Sequence, residues 1–196
     1  MRQTSDSDQL RFRFVGGRPC LDLTATVGER WRRRIERLQT PPDLARWFVQ
    51  VGMAEQPPGV SRQDLAHART LREAIYRTIA RRLAGHEAGP GDLAIVNDWA
   101  GRPHPRVWLE TGDDGRLQSR CDVPTAAGLI AALARDAVDL LGGPLAGRIR
   151  ECSAGDCALL FLDTSRAGRR RWCSMATCGA RAKMTAYRAR RVEATS

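Results

Sequence analysis

Residues 152–178 read CSAGDCALLFLDTSRAGRRRWCSMATC. Two close pairs, Cys152-x4-Cys157 and Cys173-x4-Cys178, bracket fifteen residues, a separation that lets a hairpin bring all four thiols around one ion. Tetrathiolate ligation suits Zn²⁺, which takes four sulfurs tetrahedrally and has no redox chemistry. Two disulfides, four inert thiols or an iron–sulfur cluster are the alternatives. Spacing and compartment favour zinc in a structural role, since four thiolates fill the shell that a catalytic zinc keeps open.

The spacer supports a compact module. Leu159, Leu160, Phe161 and Leu162 form an apolar strand, Arg166-Ala167-Gly168-Arg169 supplies a turn, and Arg170 to Trp172 returns toward the second pair. A β-hairpin between the pairs is therefore expected. Ser174 is placed to cap a helix from Met175 to Val192. Five residues of continuous helix would swing Cys178 about 140° away from Cys173, so Cys173 is expected just outside the helix. Knuckle, hairpin and helix together make a treble-clef-like arrangement.

The compartment follows from the rest of the chain. Its opening, Met-Arg-Gln-Thr-Ser-Asp-Ser-Asp, is polar and lacks the apolar core and cleavage site of a secretory signal, and no run of 18 apolar residues exists. The expectation is a cytoplasmic protein with no membrane span, in which thiols stay reduced. Of the six cysteines, Cys20 and Cys121 sit alone in apolar, strand-like segments and are expected to be small core residues.

With 196 residues, 42% of them hydrophobic, the chain suffices for one ordinary domain and a small appended module. The expected division is residues 1–147 and 148–196. Residues 1 to 10 read as a disordered lead-in. Leu10 to Val15 and Cys20 to Ala25 read as short extended segments around Gly16-Gly17-Arg18-Pro19. Thr40-Pro41-Pro42 starts a helix through Leu44, Trp47, Phe48 and Val51. Ser61 and Asp64 open a longer one through Leu65, Leu71, Ile75, Ile79 and Leu83, and a third spans Asp92 to Ala100. Val107 to Cys121 reads as a β-hairpin turning at Gly112-Asp113-Asp114-Gly115. Thr125 to Leu141 is strongly helical in period, and Leu145 to Arg150 leads into the first cysteine. The class is α+β: a helix-rich N-terminal domain with short strands and one β-hairpin, plus the small zinc module.

Charge points to a polyanionic partner. The formal charge is +10, and residues 148–191 carry ten arginines and Lys183 against three carboxylates, +8 in 44 residues. The candidate nucleic-acid contacts are Arg166, Arg169, Arg170 and Arg171 in the spacer, and Arg181, Lys183, Arg188, Arg190 and Arg191 on the last helix. Tyr187 has the spacing of a packing residue from Met184, and the chemistry of a base-stacking one.

These residues, read with the N-terminus, resemble the bacterial family that joins an ABATE domain to a C-terminal CGNR-type zinc finger. The resemblance rests on Phe161 to Ser165, Arg170 to Gly179 and Arg181-Ala182-Lys183 in the finger. At the other end it rests on Phe14 to Pro19 with Leu21-Asp22, and on Leu44 to Trp47. It covers nearly the whole chain. In the tetrapeptide that names the finger, Cys178-Gly179-Ala180-Arg181, Ala180 replaces the family's asparagine. The resemblance implies a stress-induced transcription regulator.

Three functional classes remain. The first is a zinc-finger regulator binding double-stranded DNA, a homodimer being the form that suits a bacterial regulator, with its N-terminal domain sensing a small-molecule or protein effector. The second is a zinc-stabilised module that binds protein. The third is an enzyme with an unrecognised N-terminal site; the expectation is no enzyme, because His67, His86 and His104 are isolated and no Walker loop, His-Glu-x-x-His or G-x-S-x-G occurs. Arg30 and Arg32 to Arg34 around Trp31 read as a charged face. Asp22 reads as a carboxylate bonded to turn amides or lining a pocket.

Overall fold

The computed structural model describes residues 10–193. The lead-in expected over residues 1 to 10 thus lies, but for Leu10, outside the described residues. The chain is α+β, and its packing divides it into two units: residues 38–143, and a discontinuous unit made of the chain up to Arg37 together with residues 144 onward. These packing units are not contiguous in sequence, because the segment from Val15 to Ala25 packs with the cysteines.

Unit 38–143 is built on four helices. Helix α2, Pro41–Gln50, starts at a capping box in which Thr40 and Asp43 bond reciprocally, and buries Trp47 and Phe48 completely with ring centroids 5.7 Å apart. Each contributes about 1.5–3 kcal/mol of burial. Helix α3, Arg62–Leu83, has the same device: Ser61 Oγ accepts from Asp64 N at 3.1 Å while the Asp64 carboxylate accepts from Ser61 N at 2.9 Å. Helices α4, Pro90–Ala100, and α5, Ala126–Gly142, pack on α3 and on each other. The core runs through Leu71, Ile75 and Ile79 of α3 and Ile130, Leu133 and Ala137 of α5, all essentially inaccessible. They fall at i, i+4, i+8 on α3 and at i, i+3, i+7 on α5, in each case one face of the helix.

The expected hairpin is present as β3, Val107–Thr111, paired antiparallel with β4, Leu117–Cys121. It projects: Val107, Leu109 and Leu117 are about two-thirds exposed. Cys121 is exposed with it, which corrects its expected place in a core. A two-stranded ribbon covered on neither face has no inside for an alternating pattern to address.

The second unit begins with a further correction. Residues Leu10 to Val15 carry no strand, and Cys20 to Ala25 form not a strand but the body and C-cap of helix α1, Pro19–Thr24. Pro19 occupies its first turn after an extended Arg18, and Cys20 through Thr24 are all buried, Asp22 and Thr24 included, so the apolar–polar alternation of the sequence has no exposed side. The buried Asp22 carboxylate accepts from Gly16 N at 2.7 Å, the turn-amide role of its two readings. A Cβ on Gly16 would lie 2.7 Å from Leu21 Cβ and 3.0 Å from Asp22 Oδ1, so this close approach requires glycine. Two-residue strands β1, Val27–Gly28, and β2, Ile35–Glu36, follow as an antiparallel pair.

After Gly143 the chain makes a short 3₁₀ turn, Ala146–Arg148, and strand β5, Ile149–Glu151. Strand β5 pairs antiparallel with β6, Leu160–Leu162, in the register Ile149↔Leu162 and Glu151↔Leu160. The apolar strand therefore pairs with the residues before the first cysteine, and Arg170 to Trp172 form no strand. This corrects the hairpin expected between the cysteine pairs: the first knuckle is the hairpin loop. Gly16 O accepts from Leu162 N at 2.8 Å, tying the opening motif to β6. A single cluster results, with Ala25, Leu159 and Phe161 packed on three of the cysteines and Val15 and Trp172 against its edge.

Candidate metal centre

Strand β5 delivers Cys152 directly to the centre. Its N–H donates to Leu159 O at 2.9 Å across the knuckle, and Cys157 N donates to Ala154 O at 2.8 Å, which closes the loop between them. Ser153 N donates to Arg171 O at 2.8 Å, drawing the incoming second pair alongside. Cys173 N then donates to Cys152 Sγ at 3.4 Å. The backbone between the pairs is held by Asp163, which has no exposed surface. Its carboxylate accepts from Ser165 N at 3.0 Å, Ser165 Oγ at 2.6 Å and Arg170 N at 2.9 Å. These bonds keep it below the usual carboxylate range, the Ser165 hydroxyl being the largest cause.

Cys173 lies outside the helix, as its spacing requires. Ser174 is extended and its Oγ caps Thr177 N at 3.3 Å. The first turn, Met175–Gly179, is a widened π turn closed by Gly179 N on Ser174 O at 3.0 Å. It carries Cys178 back toward Cys173. Helix α6, Ala180–Glu193, continues from it.

The four sulfurs lie within 4.8 Å of one another, with Cys157–Cys173 at 3.8 Å and Cys173–Cys178 at 3.7 Å. Four thiolates about 2.3 Å from a tetrahedral Zn²⁺ would sit about 3.8 Å apart. A disulfide would require about 2.05 Å, and all six cysteines are free. The donor set makes the same demand electrostatically. Without a cation the thiols compete for charge: hydrogen bonds from Cys157 and Cys173 hold Cys152 far below the ordinary thiol value, while the Cys152 thiolate pushes Cys157 up to about 12 and raises Cys173 further. A dication at the centre lets all four ionise together. The residues fit structural zinc, held by Cys152, Cys157, Cys173 and Cys178.

The basic residues around this centre divide into two sets. Arg170 is turned inward, donating from Nε to Trp172 O at 2.8 Å and from Nη2 to Cys173 O, with its guanidinium 4.5 Å from the Phe161 ring. Arg181 pairs with Asp156 through Nη1 and donates from Nη2 to Cys178 Sγ at 3.3 Å. Both are thus engaged within the finger. Arg171 lies 5.1 Å from the Trp172 ring and Arg191 6.0 Å from the half-exposed Tyr187 ring. Arg166, Arg169, Lys183, Arg188 and Arg190 are exposed and make no hydrogen bond or ion pair among the described residues. Near the N-terminus, Arg30 donates to Thr24 O at 3.1 Å and Arg33 pairs with Glu29 at 2.6 Å.

The fold and the centre define the class: an α+β protein with a zinc finger of the knuckle, hairpin and helix type. Family models place it further. Residues 17–144 match the ABATE family, described as "Putative stress-induced transcription regulator", and residues 148–191 match the CGNR zinc finger. The chain belongs to the ABATE family. No curated protein matches it closely enough to count as a relative. Among the described residues, no helix is long and apolar enough to cross a membrane.

Proposed function

We propose that this protein is a transcription regulator whose zinc finger grips duplex DNA through helix α6 and the Arg166–Arg169 turn. The observation that carries the reading is the set of exposed cations with no hydrogen-bond or ion-pair partner among the described residues: Arg166, Arg169, Lys183, Arg188 and Arg190. At 3.6 residues per turn, Lys183, Tyr187 and Arg190 fall within about 60° of each other on α6. One face thus offers two cations and an aromatic ring, the chemistry of phosphate contact and base stacking. Zinc serves as the fold element that fixes this helix on the hairpin, and the family's description as a regulator agrees with the reading.

Fluorescence anisotropy of the zinc-loaded protein on duplex DNA tests it. Affinity should fall steeply with salt, and replacing Lys183 and Arg190 by alanine should lower the slope of log K against log salt by about 2. Selection from a random duplex pool should enrich a sequence. Zinc-loaded protein that binds no duplex, or binds with an unchanged slope in the double variant, would overturn the proposal and favour a protein partner for the finger.

A further inference from the structure

A cleft of about 770 Å³ opens within the discontinuous unit. Its walls are the β1–β2 loop, the first knuckle and the start of α6, and Arg37 lies in its lining. Arg37 is 5% exposed. Among the described residues its side chain makes one hydrogen bond, from Nη1 to Ala25 O at 3.1 Å, and its buried Nε has no partner. A guanidinium withdrawn from water with no carboxylate in direct ion-pair contact among the described residues is costly, and an arriving anion would lower that cost.

The surroundings are arranged around that charge. A Cβ on Gly28 would lie 2.5 Å from Nη1 and 2.6 Å from Nη2 of Arg37, so only glycine leaves the guanidinium its place. Two of the cleft's five arginines are neutralised in situ, Arg33 by Glu29 and Arg181 by Asp156. Arg13, Arg37 and Arg188 have no ion-pair partner among the described residues. The tetrathiolate centre nearby is bonded by Arg181, not by Arg37, which touches none of the four sulfurs. Burial, with Arg13 adding repulsion and the more distant Glu29, Glu36 and Cys157 offsetting part of it, lowers the pKa of Arg37 to about 10, which leaves it charged at neutral pH. Ile35, Leu159 and Met184 provide an apolar wall beside it.

We infer that this cleft binds a small organic oxyanion, a carboxylate or phosphate ester, with the anionic group on Arg37 and the uncharged body against Ile35, Leu159 and Met184. The volume suits such a molecule, and a guanidinium fork matches either oxyanion. With so little of its surface open, Arg37 meets a small ion and not the ridge of a duplex. The inference stands whether or not the finger binds DNA.

Calorimetric titration of the zinc-loaded chain at fixed ionic strength with inorganic phosphate, phenyl phosphate and benzoate tests it. Phenyl phosphate or benzoate should bind saturably and more tightly than inorganic phosphate, and the better of the two identifies the oxyanion. Arg37→Met should weaken that binding about ten- to hundredfold while leaving the melting temperature of the ligand-free protein unchanged or higher, because an uncompensated buried charge is removed. Gly28→Ala keeps the charge but crowds the guanidinium, and should weaken binding as well. Absence of saturable binding by all three anions would overturn the inference. So would binding unaffected by either variant, a sharp fall in the melting temperature of Arg37→Met, or an effect of Arg37→Met on DNA affinity alone.

Discussion

Arg181 reaches Cys178 Sγ at 3.3 Å with one guanidinium nitrogen and pairs with Asp156, inside the first knuckle, with another. One side chain thereby joins a ligand of the second pair to the loop that holds the first. Such bonds from outside the ligand set disperse thiolate charge and fix its orientation. Arg181→Ala should lower zinc affinity about 10–100-fold, measured by competition with a chromogenic chelator. Arg181→Lys should recover only part of it, because an ammonium on a flexible stem does not reproduce the two-pronged geometry.

Asp163 ties the Ser165 and Arg170 amides together from a site without exposed surface. Asp163→Asn keeps the size but turns a donor toward one of two N–H groups, and should lower the melting temperature at neutral pH. The folded pKa lies below the ordinary 3.8, so the carboxylate's stabilisation is complete above that value and is lost as pH falls through the depressed one. Thermal melts against pH should show the gap between the two proteins closing below about pH 4.

Chelation of zinc, or Cys178→Ser, removes the tie between knuckle and helix. The expected outcome is loss of amide protection in residues 149–193, read by hydrogen exchange, with residues 126–142 of α5 still protected. Loss of protection in both would mean that the two units unfold together.

The capping box at α3 makes a separate prediction. Ser61→Ala leaves the Asp64 amide without its acceptor and should cost about 1 kcal/mol in urea unfolding, with no effect on zinc content.

The helices of residues 38–143 were legible because their signals are local: Thr40 with Asp43, Ser61 with Asp64, and apolar faces of period 3.6. The cysteine set was legible because spacing alone restricts tetrathiolate geometry. What could not be read depends on distant partners. In Cys20 to Ala25 the apolar Leu21, Leu23 and Ala25 alternate with Asp22 and Thr24, the period of a strand, and only the burial of both sets and contact with β6 mark the short helix. The partner of β6 was ambiguous because Ile149–Glu151 and Arg170–Trp172 both flank it, and a three-residue strand carries almost no period. Among the basic residues, net charge drew attention to α6 but could not tell Arg170 and Arg181, committed to carbonyls and a thiolate, from Lys183 and Arg190. Arg37 gave no sign at all, since nothing in its neighbours Glu36 and Leu38 announces a buried guanidinium.

The packing of Val15, Gly16 and Ala25 against the finger sets a timetable for biogenesis. Gly16, Val15 and Ala25 leave the ribosome more than a hundred residues before Leu162, Trp172 and Cys178, which complete their cluster. The intervening helical unit, rich in local contacts, can form while synthesis continues, whereas the opening segment must wait for the last cysteine to appear. Zinc capture then closes residues 15–25 onto the finger, and a finger excised at residue 148 would emerge with Phe161 stripped of that cover.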